Sequence, residues 1–210
     1  HVFVTGSPLK EVLNKYENQI SGSSICKKID VEKGKYIVVS AHREENIDLK
    51  NNFEILVESL NEVAEIFKLP IIFSTHPRTK KRIAENKTLF HPLIKNIEPL
   101  GFFDYVKLQK DAYVVLSDSG TISEESAMMD FPAVSIRTST ERPEAIDAGT
   151  IVLGGISKES ILQSIPIARE MHQESQNHLP FEYEVRNCST RVVRVIQSYT
   201  SIVNRVTWNK

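Results

Sequence analysis

The amino-acid sequence predicts an α/β protein built on a doubly wound parallel sheet. Two observations predict it. Short apolar runs recur along the chain, and longer segments with helical periodicity lie between them. Near-continuous apolar runs are typical of strands that are buried on both faces of a parallel sheet. Strands that alternate with helices favour βαβ units, so the two observations agree on this architecture.

The predicted strands are apolar, β-branched runs. They are residues 1–5, 35–40, 70–75, 112–117 and 132–136. The first run starts at His1 rather than at a methionine, and a native chain rarely begins inside a strand. We therefore expect this chain to be part of a longer protein.

Four segments carry the apolar spacing of amphipathic helices. They are residues 50–68, 119–129, 157–175 and 189–206. The first of them shows the spacing of three and four most clearly, and the last has a broad apolar stripe. We expect Pro166 to kink or interrupt the third helix. The aperiodic stretch 176–190 is predicted to be a connection.

Composition excludes several classes of protein. At about 150 residues per domain, 210 residues predict one large domain or one domain with appendages. Lys and Arg total 26 and Asp and Glu total 27, which is not the basic balance of a nucleic-acid-binding domain. We expect no membrane span and no signal peptide, since neither pattern is present. The two cysteines predict reduced thiols in a cytoplasmic protein, and no metal-ligand spacing occurs.

The candidate functional residues follow the predicted strands, where a doubly wound sheet binds its ligand. His42 and Arg43 follow the strand at 35–40; histidine can move a proton, and arginine presents a fork of donors to phosphate. His76 follows the strand at 70–75, and Pro77 could open a helix there. Arg142 follows the strand at 132–136 between two acids, as a phosphate clamp would. In each case the alternative is an ordinary polar loop whose charges pair with one another.

The turn after the strand at 112–117 predicts an anion site most strongly. Ser119, Gly120 and Thr121 lead into a helix, so free backbone N–H groups and the positive end of the helix dipole meet there. One of Glu124 and Glu125 could accept hydrogen bonds from ribose hydroxyls. The alternative is an N-cap with acids that complement the dipole. The turn matches neither the dinucleotide fingerprint nor a Walker A loop.

Together these clusters resemble the non-hydrolysing UDP-N-acetylglucosamine 2-epimerase family, over the whole chain, as the C-terminal half of that family's enzymes. The family's His-Arg-Arg-Glu-Asn motif resembles residues 42–46, and its Asp-Ser-Gly-Gly-Ile-x-Glu-Glu motif resembles residues 118–125. Its Thr-Glu-Arg-Pro-Glu and Ala-Gly-Thr motifs resemble residues 140–144 and 148–150. The order of the four motifs makes the resemblance specific.

The resemblance implies a Rossmann-like domain, the C-terminal one of a glycosyltransferase type B fold in which two domains face a cleft. Residues 1–186 would form the UDP-binding domain, and residues 187–210 a helix that packs back toward the N-terminal domain, which this chain lacks. It implies a UDP-sugar substrate, a homodimer as the full-length enzyme, and no cofactor.

The resemblance also assigns site residues. The positions that it places against UDP are His42, Tyr105, Ser119, Gly120, Thr121, Glu125 and Arg142. His42 is the candidate catalytic residue, and Tyr105 would lie near the uracil. Glu125 would hold the ribose, and the diphosphate would be held by Ser119, Gly120 and Arg142. Positions that contact a second, activating UDP-sugar in some bacterial members fall near Arg43, Glu45 and His76.

The implied reaction is an elimination followed by a re-addition. UDP leaves C1 as a proton leaves C2, and UDP adds back after protonation on the other face. The family's carboxylates for the proton transfers lie in the first domain, so we expect this chain alone not to epimerise.

Three positions depart from the common motifs and leave the substrate open. Glu44 stands in place of Arg, Thr121 in place of Gly, and Leu100 where a polar residue can approach the uracil. These variants resemble a capsule or O-antigen branch that makes UDP-N-acetyl-L-fucosamine from a 6-deoxy-talose precursor. UDP-N-acetylglucosamine remains the alternative substrate. A glycosyltransferase of the same fold and a non-catalytic UDP-sugar module remain the alternative functions.

Overall fold

A six-stranded parallel sheet forms the centre of the computed structural model, which describes residues 2–139, 142–174 and 179–209. The strands are β1 (Ile37–Ser40), β2 (Ile71–Ser74), β3 (Ile94–Ile97), β4 (Val114–Ser117), β5 (Ala133–Ser135) and β6 (Val152–Leu153). Their order across the sheet is β3-β2-β1-β4-β5-β6. In the central pair, Ile37 lies opposite Val114 and Ser40 opposite Ser117. The predicted doubly wound, Rossmann-like fold class is confirmed.

Four of the five predicted strands are confirmed, and one is wrong. The runs at 35–40, 70–75, 112–117 and 132–136 contain β1, β2, β4 and β5. Residues 2–5 form no strand: Val2 is 96% exposed and Val4 is 63% exposed. An apolar run needs a neighbouring strand to pair its backbone, and within the described ranges this one has none. The expectation of a strand at the start of the chain therefore fails.

Two strands were missed because they lie at the edges of the sheet. In β3 the apolar residues Ile94 and Ile97 flank Lys95 and Asn96, and both polar residues are exposed. Strand β6 is two residues long. Edge strands carry polar residues and are short, so they lack the apolar run that marks a central strand.

Helices connect the strands and flank the sheet. They are α1 (Leu9–Lys15), α2 (Glu17–Ser21), α3 (Ile25–Lys28), α4 (Glu44–Ile47), α5 (Lys50–Phe67), α6 (Pro77–Glu85), α7 (Phe102–Lys110), α8 (Ile122–Met129), α9 (Pro143–Asp147), α10 (Lys158–Glu174), α11 (Phe181–Glu184) and α12 (Cys188–Val206). Within the described ranges, none of them combines the length and the apolarity that crossing a membrane would need.

The four predicted helices correspond to α5, α8, α10 and α12, with one correction. Helix α10 is continuous through Pro166 and is not interrupted there. Ile161, Ile165 and Ala168 are buried in the core that α10 shares with α5 and the sheet. This packing outweighs the hydrogen bond that proline removes. Helix α6 starts at Pro77, as proposed.

Each face of the sheet has its own apolar core. On one face Ile37, Val39 and Leu116 pack under α5 and α10. On the other face Val38 and Val115 pack under the helices near the N-terminus, α7 and α8. Successive strand residues point to opposite faces, which explains why central strands must be apolar throughout.

The segment before α1 packs against the segment before α12. The Ser7 amide donates to the Glu182 carbonyl at 3.0 Å, and the Cys188 thiol donates to the Gly6 carbonyl at 3.1 Å. Gly6 has φ +88°, and a Cβ there would lie 2.4 Å from the Cβ of Val185. We call these two segments, residues 6–8 and 182–188, the terminal junction.

Candidate functional site

The loops after β1 and β4 lie side by side at the carboxyl edge of the sheet. The strand order reverses between these two strands, and ligands of doubly wound sheets bind at such a point. The Asp118 amide donates to the Ser40 carbonyl at 3.1 Å, which joins the two loops where they leave the sheet. The structure therefore brings the clusters at 42–46 and 117–125 together.

The buried Asp118 carboxylate fixes the loop after β1. Its Oδ2 accepts the backbone N–H groups of His42 and Arg43, both at 2.9 Å, and the Asn46 side-chain amide at 3.1 Å. The same amide group donates to the Ile136 carbonyl at 3.1 Å, which ties in the loop after β5. Three N–H donors compensate the burial of a carboxylate. Asp118 is thus a structural anchor, and the N-cap of α8 is instead Thr121, whose side chain makes no capping bond.

A shallow pocket of about 210 Å³ opens beside this anchor. His42 lines it, with its Nδ1 3.3 Å from Asp118 Oδ1 and its ring centroid 6.4 Å from that of His76. The other lining residues are Ser40, Ser74, His76, Pro99, Leu100 and Tyr105. Ligand pockets have volumes of about 300–1,000 Å³, so this one has room for a single ring rather than a whole nucleotide sugar.

Tyr105 and Leu100 form the apolar side of this pocket. Burial raises the pKa of the Tyr105 phenol, and the carboxylates of Glu125 and Asp118 raise it further, against a hydrogen bond with Ser40 that lowers it. Tyr105 is therefore neutral at physiological pH. A neutral aromatic ring beside an aliphatic side chain is a suitable surface for a planar ring.

The turn into α8 holds a chain of hydroxyl groups that ends at a carboxylate. Thr121 Oγ1 donates to Glu125 Oε1 at 2.8 Å, and Ser119 Oγ lies 2.9 Å from Thr121 Oγ1. Thr121 has one hydroxyl proton and donates it in the hydrogen bond to Glu125, so Ser119 is the donor in the bond between Ser119 and Thr121. Gln109 on α7 donates to Glu125 Oε2 at 2.6 Å. Gly120 lies between the two hydroxyl residues in a half-buried turn.

Arg142, the N-cap residue of α9, pairs with Glu124 in the first turn of α8. The Arg142 guanidinium donates to Glu124 Oε1, and the Ser7 hydroxyl donates to Glu124 Oε2. Glu124 is buried, whereas about a third of the Arg142 side chain is exposed. This carboxylate thus links Arg142 to the terminal junction, and Glu124 and Glu125 have separate partners although they are adjacent in sequence.

Tyr183 contacts the chain just after Arg142, at Glu144. Its hydroxyl donates to Glu144 Oε1 at 2.8 Å. Burial raises the pKa of Tyr183, and Glu144 and Glu124 raise it further. Burial lowers the pKa of Arg142, but Glu124, Tyr183 and Glu144 raise it overall, so its positive charge is secure.

Of the residues that the resemblance places near a second UDP-sugar, His76 and Glu45 contact other side chains or backbone groups of this chain. His76 Nδ1 accepts the Arg78 amide at 3.3 Å and so caps α6. Glu45 Oε1 lies 3.7 Å from the Nε of the buried Arg137. Arg43 is half-buried at the start of α4, beside His42. Among the described residues, no group of three or more His, Cys, Asp or Glu is arranged to hold a metal ion.

Sequence reasoning missed three residues that touch the candidate site, namely Gln109, Ser7 and Tyr183. Gln109 lies four residues after Tyr105 on α7, so the two share a helix face. That spacing would have pointed to Gln109 if a helix had been predicted there. Thr140 and Glu141, in the motif at residues 140–144, lie outside the described residues.

Comparison with known proteins decides the family. A sequence profile described as UDP-N-acetylglucosamine 2-epimerase matches residues 1–197. The chain belongs to the non-hydrolysing UDP-N-acetylglucosamine 2-epimerase family. One relative, the UDP-N-acetylglucosamine 2-epimerase of Methanocaldococcus jannaschii, is 36% identical over 165 residues, which are 77% of this chain and 44% of that protein.

Solved structures of epimerases in this family share the fold. That of the Rickettsia bellii UDP-N-acetylglucosamine 2-epimerase has a TM-score of 0.87 at 36% identity, over 98% of this chain and 56% of that one. The Methanocaldococcus jannaschii epimerase, crystallised with UDP-GlcNAc and UDP, has a TM-score of 0.82 at 30% identity, over 93% of this chain and 54% of that one. The chain therefore spans about half the length of the 2-epimerases that it matches.

Proposed function

We propose that this chain is the C-terminal, UDP-binding half of a UDP-N-acetylhexosamine 2-epimerase. The observation that carries the proposal is the arrangement around the N-terminus of α8. The Glu125 carboxylate and Arg142, which pairs with Glu124, both lie beside the turn at residues 119–121, within a chain of this family. Tyr105 is part of the same group, since α7 also carries the Gln109 that contacts Glu125.

The parts of UDP fit separate parts of this arrangement. The pocket of Tyr105 and Leu100 has room for the uracil ring. Glu125 accepts hydrogen bonds from the ribose. The diphosphate lies at Ser119 and Gly120, where the dipole of α8 and the nearby Arg142 favour negative charge. The hydroxyl proton of Ser119 is directed at Thr121, and the amides of Ser119 and Thr121 donate to the hydroxyls of Ser117 and Ser119 at 3.1 and 3.4 Å. The Gly120 amide and the dipole of α8 are therefore the main contribution of this turn to holding the diphosphate.

Charge stabilisation is the chemical contribution of this half. As the bond from C1 to UDP breaks, negative charge develops on the diphosphate, and donors that are already oriented stabilise it most. Arg142 is held by Glu124 before UDP arrives, which satisfies that condition. The proton transfers at C2 are assigned to the other half of the enzyme, so we expect the isolated chain not to epimerise.

His42 is the proposed catalytic residue of this half. The nearby Asp118 carboxylate favours the proton on Nδ1, which leaves Nε2 to face the pocket. From there the Nε2 lone pair can take up a proton, and the imidazolium formed in this way can donate a hydrogen bond to the departing phosphate. Arg43, Glu45 and His76 lie on the same edge of the sheet and are proposed contacts for a second UDP-sugar.

Helix α12 is proposed to pack against the other half of the enzyme. Its apolar residues Val193, Ile196 and Val206 are exposed, as an uncovered contact face would be. The division at residues 186 and 187 follows from this role. We also propose a homodimer in the cytoplasm, and the free thiols of Cys26 and Cys188 are compatible with that compartment.

The substrate is proposed as one of two sugars. UDP-GlcNAc interconverting with UDP-ManNAc fits the motif at residues 140–144. The 6-deoxy-talose precursor of UDP-N-acetyl-L-fucosamine, a step of capsule biosynthesis, fits Thr121 and Leu100.

Isothermal titration of UDP into the chain tests the proposal. We expect a Kd between about 1 μM and 1 mM, the range for a site that one half of an enzyme supplies. Arg142→Ala should abolish measurable binding because it removes the cation beside the diphosphate. Arg194→Ala, an exposed arginine on α12, is the charge-matched control and should bind as the unchanged chain does.

Two outcomes would contradict the proposal. One is no UDP binding by a chain that circular dichroism shows to be folded. The other is equal binding by the Arg142→Ala and Arg194→Ala variants. Turnover of either UDP-sugar by the purified 210-residue chain would contradict the assignment of proton transfer to the other half.

A further inference from the structure

The Glu125 carboxylate has a protein donor on each of its oxygens. Thr121 Oγ1 donates to Oε1 at 2.8 Å, and Gln109 Nε2 donates to Oε2 at 2.6 Å. Thr121 is one helical turn before Glu125, and the Glu125 amide also donates to the Thr121 carbonyl at 2.9 Å. The carboxylate is therefore held from two elements, the first turn of α8 and the last turn of α7.

Gln109 is placed for this one contact. Its side chain is 1% exposed, and its amide oxygen accepts no hydrogen bond from the described residues. Burial of an amide oxygen without a hydrogen bond costs free energy of folding. The position of Gln109 is therefore not explained by a gain in stability. Orientation of Glu125 is what that bond provides.

The two donors leave acceptor capacity on both oxygens. Each carboxylate oxygen has two acceptor positions, and one donor occupies one of them. One acceptor position on each oxygen therefore remains for a ligand. The bonds from Thr121 and Gln109 prevent the carboxylate from rotating, so the directions of these two positions are fixed. Two hydroxyl groups on adjacent carbons can donate to such a pair together, and a single hydroxyl can use only half of it.

We propose that Thr121 and Gln109 are positioning residues that orient Glu125 to select a nucleotide with a complete 2′,3′-diol over its 2′-deoxy analogue. The inference rests on the proposed function, in which Glu125 holds the ribose. The orientation of Glu125 by Thr121 is a property of this chain, because the family motif has glycine at that position. Glycine carries no hydroxyl and cannot hold Glu125.

Titration calorimetry with UDP and 2′-deoxy-UDP tests the inference. The unchanged chain should bind UDP about tenfold more tightly, the size of one hydrogen bond to a charged group. Thr121→Val keeps the shape and removes the hydroxyl, and it should reduce that ratio to about threefold or less. Thr121→Ser should restore the ratio. Thr121 is exposed, so folding is not at risk, and Thr200→Val on α12 is the matched control with an unchanged ratio.

The outcomes separate this inference from the proposed function. If Glu125→Gln lowers the ratio and Thr121→Val leaves it unchanged, or lowers both affinities equally, the positioning role is wrong and the ribose contact stands. If Glu125→Gln leaves the ratio unchanged, the ribose contact itself is wrong. No binding of either nucleotide by the folded chain would overturn both. Gln109→Leu should reduce the ratio in the same way as Thr121→Val.

Discussion

Helices α5 and α12 look alike in sequence and differ in their surroundings. Both are long and amphipathic, with 18 and 19 residues. Phe53, Leu56 and Leu60 of α5 are buried between the sheet and α10. Ile196 and Val206 of α12 are 58% and 70% exposed.

The difference shows what an apolar stripe establishes. It establishes that a helix has a face to cover, and it does not establish which surface covers it. Helix α5 lies between two strands of one sheet, so its cover is the sheet itself. Helix α12 follows the last strand, and Cys188 at its start is its one buried residue within the described part of the chain. Substitutions on the apolar face of α5 should therefore lower the free energy of unfolding more than substitutions on the apolar face of α12.

Leu60→Ala should have the largest effect on this comparison. Leu60 is fully buried, so we expect the free energy of unfolding to fall by about 3 kcal/mol because a cavity remains. Urea denaturation measures it. Ile66→Ala on the exposed face of α5 is the control, with an expected change below about 0.5 kcal/mol. Equal losses for both variants would mean that burial does not distinguish the faces of α5.

Cys188→Ala should have an intermediate effect at the base of α12. The thiol is buried and donates to the Gly6 carbonyl at 3.1 Å, so we expect a loss of about 1 kcal/mol. Cys188→Ser retains a donor and should lose less in the same denaturation experiment. A larger loss for the serine variant would mean that burial of the sulfur, and not the bond, holds the terminal junction.

Ile196→Ala should have the smallest effect. More than half of Ile196 is exposed, so removal of its side chain should change the free energy of unfolding by less than about 0.5 kcal/mol. A loss above 1 kcal/mol in the isolated chain would break the comparison, since it would show that the face is already covered there, for example by a second copy.

Much of the fold could be predicted because burial on two faces leaves an unmistakable pattern. Strands β1, β2, β4 and β5 are apolar up to a final serine, and each appears in the sequence as a run. The prediction of a strand at residues 1–5 was wrong because composition does not reveal whether a neighbouring strand is present to pair with it. Helix α7 was missed because Phe102 and Phe103, at its start, are exposed aromatics without helical spacing.

The candidate site could be predicted by location and only partly by role. The strand ends indicated His42, His76, Arg142 and the turn into α8. The sequence could not distinguish a carboxylate that anchors a loop from one that faces a ligand, because both follow the same strand. The number of N–H donors around Asp118 makes that distinction, and those donors come from residues more than 70 positions away.

The terminal junction has a consequence for the order in which the protein folds. The contact of Cys188 with Gly6 joins residues 182 positions apart, and that of Ser7 with Glu124 joins residues 117 positions apart. Closing such long loops costs the most chain entropy, so these contacts form late, after the βαβ units have assembled. Refolding should therefore produce the sheet and the Asp118 anchor first. Arg142 acquires its final support, through Glu124 and Ser7, among the last steps.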